Sequence, residues 1–285
     1  MTLKGRHEEA WESLRWIRAS DGPAVEAEME EIRTGVNIEL SQREGFRLTE
    51  LVTVPDNLKR VLGAAAIFTA QQATGATAFA YYGPQYFKLL VGSKGNSDLL
   101  LTAIFGAIKV FACSAFVLFV ADRAPRKAIL TAGALFMAAC QITTAAVLKT
   151  HPARGDGTVT SSGIATIALI YLFVMAYNFS WGPLPWPYVS EIFPTRIREP
   201  GIGVGVSTQW LFNFVFTIST PYMIKNLGYG TFLFWGFCDL VIAIGVFFLL
   251  VETRGKSLEE ITHETISDKA MLVDESGEET VRAGK

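Results

Sequence analysis

Two adjacent glutamines, Gln71 and Gln72, open the stretch QQATGATAFAYYGP (71–84) inside an otherwise apolar run. An amide side chain breaks no bonds. It donates and accepts hydrogen bonds, which is the chemistry that matches a hydroxyl-rich ligand. On a helix the pair lies about 100° apart, so both side chains border one cavity. Gln209 and Asn213 stand at i and i+4 on one face of a later apolar run. Interhelical hydrogen bonding is the competing account for all four. Lys109, near the centre of the apolar stretch GAIKVFAC, is costly at such a place. Two accounts stay open: it pairs with Asp239, the acid inside the last apolar run, or it faces the cavity and attracts an anionic ligand. No nucleophile with its base, phosphate-binding loop or metal-ligand cluster accompanies these residues, so no enzyme and no cofactor is expected.

The elements that must position them are membrane-spanning. Half of the 285 residues are apolar, 50%, against 18% charged, and the mean hydropathy is +0.31. Apolar runs at 61–90, 99–120, 128–148, 163–188, 201–224 and 230–251 each approach the ~20 residues that cross ~30 Å of hydrocarbon. A formal charge of −2 gives no basic field for nucleic acid. Cys113, Cys140 and Cys238 are far apart in apolar runs and read as free thiols. Residues 1–57 carry two amphipathic patterns: EEAWESLRWI, then Val25, Met29, Ile32 and Val36 on one face, with a break at ASDGP (19–23). The segment 58–251 holds the spans, and 252–285 is a polar tail without periodicity, expected to be largely disordered. Lys59, Arg60, Arg123, Arg126, Lys127, Arg196, Arg198, Arg254 and Lys256 fall on one side of the bilayer; Lys88, Lys94, Lys149, Arg154 and Lys225 fall on the other. The first side is expected to be cytoplasmic, with both termini on it and the protein in the plasma membrane.

Four stretches carry a resemblance. QQATGATAFAYYGP, ADRAPRK (121–127), WGPLPWPYVSEIFPTRIREPG (181–201) and VETRGKSLEEI (251–261) follow one another in order over about 190 residues. Together they resemble the sugar porter family of the major facilitator superfamily, in its C-terminal half. The family patterns are QQxxGxNxxxYY, D-R-x-G-R-R, GPxxW…EIFPxRxR and PETKGxxLEE. Thr77 stands where asparagine is usual, Pro125 where glycine is, and Val251 where proline is.

The resemblance implies an all-α membrane protein. Six transmembrane helices would form one half of a twelve-helix fold, preceded by amphipathic cytoplasmic helices. It implies a secondary transporter for a sugar or sugar-like polyol, working by alternating access, whose other six-helix half is missing from this chain. A quinate or sugar-acid permease is the alternative, and a nutrient sensor that does not transport is the alternative of another class. Gln71, Gln72, Thr77, Asn178, Trp186, Gln209 and Asn213 match or adjoin family substrate contacts, and Lys109 joins them if the ligand is an acid. Gly75, Tyr81, Tyr82 and Pro84 would bend and gate the first span, although an interfacial aromatic belt also accounts for the tyrosines. Gly182, Pro183 and Pro185 would break the fourth span at the site. Asp122, Arg123, Arg126, Glu191, Arg196, Arg198 and Glu252 would form a cytoplasmic charge network that holds one conformation. Partners are the bilayer, the solute and the other half. Proton coupling is possible in this family, with its acid in the other half.

Overall fold

The computed structural model describes residues 6–18, 22–43, 47–91, 97–121, 123–151, 160–250 and 252. Asp122, Val251, Lys94, Arg154, Arg254, Lys256 and the tail from residue 253, with its expected disorder, lie outside them.

Eleven α-helices follow one another among the described residues: α1 (His7–Arg18), α2 (Pro23–Arg43), α3 (Glu50–Thr53), α4 (Pro55–Ala73), α5 (Ala76–Val91), α6 (Ser97–Phe119), α7 (Arg126–Thr150), α8 (Ser161–Phe179), α9 (Pro185–Ile192), α10 (Arg198–Leu227) and α11 (Gly230–Leu249). Five are long and apolar enough to cross a bilayer: Leu99–Phe119, Arg126–Thr150, Ser161–Phe179, Arg198–Leu227 and Gly230–Leu249. The first apolar run, 61–90, is divided between α4 and α5, which meet at Thr74–Gly75. Pro84, which is expected to bend the first span, lies within α5, which continues to Val91.

Burial sorts these helices for lipid. Val110, Phe111 and Leu118 on α6, Trp210 and Phe214 on α10, and Phe237, Ile244 and Phe248 on α11 are exposed. So large an apolar surface is stable against hydrocarbon, not water. On the inner side, α7 packs on α11 and α8, α6 on α8 and α5, and α10 on α4. Phe79 of α5 meets Phe173 of α8 at 5.1 Å and Phe232 of α11 at 5.8 Å between centroids, tying three spans in one aromatic knot.

The N-terminal helices form a hairpin. Arg18 Nη2 bonds Glu28 Oε1 at 2.6 Å, and that hydrogen bond holds Glu28 below the usual carboxylate range. Val25 and Met29 are buried, whereas Ile32 is exposed, so the expected apolar face of α2 is covered over only part of its length.

Candidate functional site

The site forms where two spans are broken, because a break in a helix frees carbonyls that lipid will not satisfy. The first break is Thr74–Gly75. Gly75 has φ +80°, a left-handed conformation, and a Cβ there would stand 2.7 Å from the Trp235 ring of α11. Only glycine suits both conditions. The freed backbone finds side chains: Thr74 Oγ1 donates to the Gln71 carbonyl at 2.8 Å, and Gln141 Nε2 donates to the Thr74 carbonyl at 3.4 Å.

The second break separates α8 from α9 through residues 180–184. Pro185 has no N–H, so the Trp181 carbonyl loses the helical donor that residue 185 would otherwise supply. Gln71 fills the vacancy. Its Nε2 donates to the Trp181 carbonyl at 2.8 Å and lies 3.3 Å from the Gly182 carbonyl. Its Oε1 accepts from Gln209 Nε2 at 2.6 Å. A fully buried amide thereby joins α4, the broken span and α10. The close approach of α10 depends on Gly205, one turn before Gln209, where a Cβ would stand 3.1 Å from Phe68 of α4.

Gln72 is arranged differently. Its Oε1 accepts from Thr77 Oγ1 at 2.5 Å and from Asn213 Nδ2 at 3.4 Å. Among the described residues, Gln72 Nε2, Gln209 Oε1 and Asn213 Oδ1 have no protein partner. They supply one donor side and two acceptors to a solute. Trp186 is 46% exposed and meets Phe68 edge-on, with centroids 5.2 Å apart. Asn178 is buried, and its Nδ2 donates to the Val174 carbonyl one turn back at 2.8 Å. The structure thus gathers Gln71, Gln72, Thr77, Gln209 and Asn213, with Asn178 and Trp186 on the flanking broken span.

Lys109 stands apart. It lies on α6, which packs on α8 and α5, and its ammonium sits 5.8 Å from the Phe105 centroid. The ion pair with Asp239 is not formed. Asp239 is fully buried on α11, which packs chiefly on α7, and among the described residues neither carboxylate oxygen has a partner. Trp181 is a core residue, donating to the Leu130 carbonyl at 2.9 Å, and Trp210 is exposed. Tyr82 Oη donates to the Thr217 carbonyl of α10 at 3.1 Å, while Tyr81 is exposed.

At the opposite end from the tyrosines, charges collect. Arg126 at the start of α7 pairs with Glu191 of α9. Glu252 accepts from the backbone N–H groups of Arg126 and Lys127, both at 3.0 Å, so its carboxylate caps α7 at the positive end of the helix dipole. Arg196 instead reaches Glu50 of α3 at 3.1 Å, and Arg198 donates to the Phe193 carbonyl at 3.3 Å. Arg123 is exposed. Sequence reasoning missed Glu50 and Gln141. Gln141 offered the same signal as Gln71, an amide within an apolar run.

The chain's sequence and fold have relatives among known proteins. A family model described as sugar (and other) transporter covers residues 1–264. The chain belongs to that family. The quinate permease of Emericella nidulans is 31% identical over 279 residues, which is 94% of this chain and 51% of the relative. A probable quinate permease of Aspergillus clavatus is 32% identical, over 90% of this chain and 49% of the relative. Among solved structures, the proton:xylose symporter XylE bound to 6-bromo-6-deoxy-D-glucose superposes with a TM-score of 0.68 at 27% identity, over 92% of this chain and 52% of that one. The inward-open XylE of E. coli gives 0.69 at 25% identity, over 90% and 49%. The chain therefore spans about half the length of the relatives it matches. This member of the sugar (and other) transporter family is an integral membrane protein, and its fold is half of the major facilitator arrangement.

Proposed function

We propose that the chain is the C-terminal half of a secondary transporter that moves a sugar or sugar-like polyol by alternating access. The observation that carries this is the amide cluster between two broken spans. Among the described residues it leaves Gln72 Nε2, Gln209 Oε1 and Asn213 Oδ1 unclaimed, and the half-exposed ring of Trp186 packs on Phe68 of α4. Unclaimed donors and acceptors on both sides suit hydroxyls, which do both jobs, and an aromatic face suits the apolar side of a ring. In this reading the breaks at Gly75 and at Gly182–Pro185 are the flexing points. Tyr81, Tyr82 and Pro84 close the outer end, and the Arg126–Glu191–Glu252 group latches the inner end in one state. A contact made in only one state biases the equilibrium by its differential energy. The inner end and both termini face the cytosol, in the plasma membrane.

The relatives' names favour quinate, a cyclic polyol acid, over a neutral hexose. XylE is a proton symporter, and we extend proton coupling to the assembled protein on that likeness. Uptake tests the whole reading. The chain, completed by a six-helix N-terminal half in a transporter-null host, takes up labelled quinate or hexose, and an uncoupler abolishes accumulation. Replacing Gln72 and Trp186 together by alanine removes that uptake while the protein still reaches the membrane. Undiminished uptake by this variant would overturn the assignment of the site.

A further inference from the structure

Among the described residues, Lys109 is a cation without a counter-ion. It is the thirteenth residue of α6, so at 1.5 Å per residue it lies about 18 Å from the Ser97 end and about 15 Å from the Phe119 end. Its four-carbon stem spans neither distance, so the ammonium stays at membrane depth. The side chain shares its face with Phe105, Ala112 and Phe116, all buried, and is itself half-buried, whereas Val110, Phe111 and Val117 are exposed on the lipid side. Among the described residues no carboxylate pairs with it, and Asp239 is taken up in the α7–α11 packing. A charge at this depth requires an opposite charge or a water-filled cavity.

Two contacts between α6 and α8 fix the place of Lys109 along the bundle. Tyr171 Oη of α8 donates to the Leu101 carbonyl of α6 at 2.8 Å, and Phe116 of α6 meets Phe179 of α8 at 5.8 Å. Lys109 lies between these ties on α6, seven residues before Phe116, and Asn178 adjoins the second tie on α8. Asn178 immediately precedes the break whose carbonyls hold Gln71. We propose that Lys109 is the specificity-determining residue of the site and receives the carboxylate of an anionic polyol whose hydroxyls meet the amide cluster. A lysine offers a compact point charge that suits a single carboxylate. The proposal rests on the polyol reading of that cluster and adds the residue that would select for the solute's charge.

Binding to the purified 285-residue chain in nanodiscs tests it, with quinate and its neutral carboxamide as probes. The wild type is expected to prefer the acid at least tenfold. Lys109→Gln is expected to lose that preference, weakening acid binding tenfold or more and carboxamide binding less than threefold, while Lys109→Arg keeps most of it. An acid-to-amide ratio near one in the wild type, or a ratio unchanged in Lys109→Gln, would overturn the proposal and leave the polyol site standing. If Lys109→Gln does not elute as folded protein, the wild-type ratio decides alone. Failure of both probes to bind the wild type overturns the polyol reading and this inference with it.

Discussion

Replacing Gln71 by leucine separates a strut from a ligand contact. Leucine keeps most of the volume and removes three interhelical hydrogen bonds, the two short ones to the Trp181 carbonyl at 2.8 Å and from Gln209 at 2.6 Å and a longer one to the Gly182 carbonyl at 3.3 Å. Such bonds in membranes average about 0.6 kcal/mol each and reach about 1.7. The two short ones give roughly 1–3 kcal/mol. The upper part of that range applies, because the substitution leaves a buried carbonyl and a buried amide N–H unpaired, each worth about 1–3 kcal/mol when orphaned. An expected loss of about 2–3 kcal/mol lowers the melting temperature by roughly 5–10 °C. Gln72→Leu leaves no freed backbone carbonyl behind and is expected to shift it by less than half as much.

The decisive arm is Pro185→Ala. Alanine restores an N–H at 185, the natural donor to the Trp181 carbonyl, so the double variant Gln71→Leu/Pro185→Ala is expected to recover about 1 kcal/mol relative to additivity. Melting of the detergent-purified chain, followed by tryptophan fluorescence, measures all four species. A Gln71→Leu variant melting within 2 °C of wild type, or strictly additive losses in the double variant, would refute the reasoning that Gln71 replaces the bond the proline deletes.

Three further outcomes follow from the same geometry. Gly75→Ala imposes a left-handed conformation costing about 1–2 kcal/mol and a Cβ 2.7 Å from Trp235, adding overpacking of about 1–3 kcal/mol; a melting temperature unchanged in Gly75→Ala contradicts it. Trp186→Ala removes a half-exposed ring that packs on Phe68. Solute affinity is expected to fall at least tenfold while melting moves by less than about 3 °C, and the opposite pattern would make Trp186 a core residue. Glu191→Gln breaks the partly buried pair with Arg126, removing about 1–2 kcal/mol from the latched state and shifting the conformational equilibrium roughly 5–30-fold. Labelling of a cysteine placed in the α9 turn reads that shift, and equal labelling rates would exclude the latch.

Much of this was legible from residue types alone. Five of the six apolar runs became helices long and apolar enough to span, because a chain in lipid has little other choice, while the first is divided between α4 and α5. The break at Gly75 and the turn around Gly182–Pro185 follow from residues that tolerate or force departure from a helix. Three-dimensional pairing was not legible. Nothing in the spacing of Gln71 and Gln72 distinguishes one from the other, since both lie in one turn and both are amides. The distinction comes from where α9 begins, 110 or more residues later. Lys109 and Asp239 looked like partners for the same reason: charge complementarity is visible in a sequence, whereas helix adjacency is not, and α6 and α11 are separated by α7 and α8.

A single chemical rule connects the two breaks. At the first, Thr74 and Gln141 satisfy the freed Gln71 and Thr74 carbonyls. At the second, Gln71 satisfies the freed Trp181 carbonyl. Gln71 belongs to both sets, by its own carbonyl at one and by its amide at the other. A movement that reopens either break must therefore re-partner Gln71, because an unpaired backbone group at membrane depth costs more than a shifted side chain. Gln72, next in the chain, feels the same rotation of α4 and presents the unclaimed Nε2. A solute that pulls on Gln72 is thereby coupled to the helix breaks through one peptide unit. That coupling predicts solute-dependent protection of the Thr74–Gly75 backbone from hydrogen exchange in the wild type and its loss in Gln71→Leu, even where Gln72 still binds.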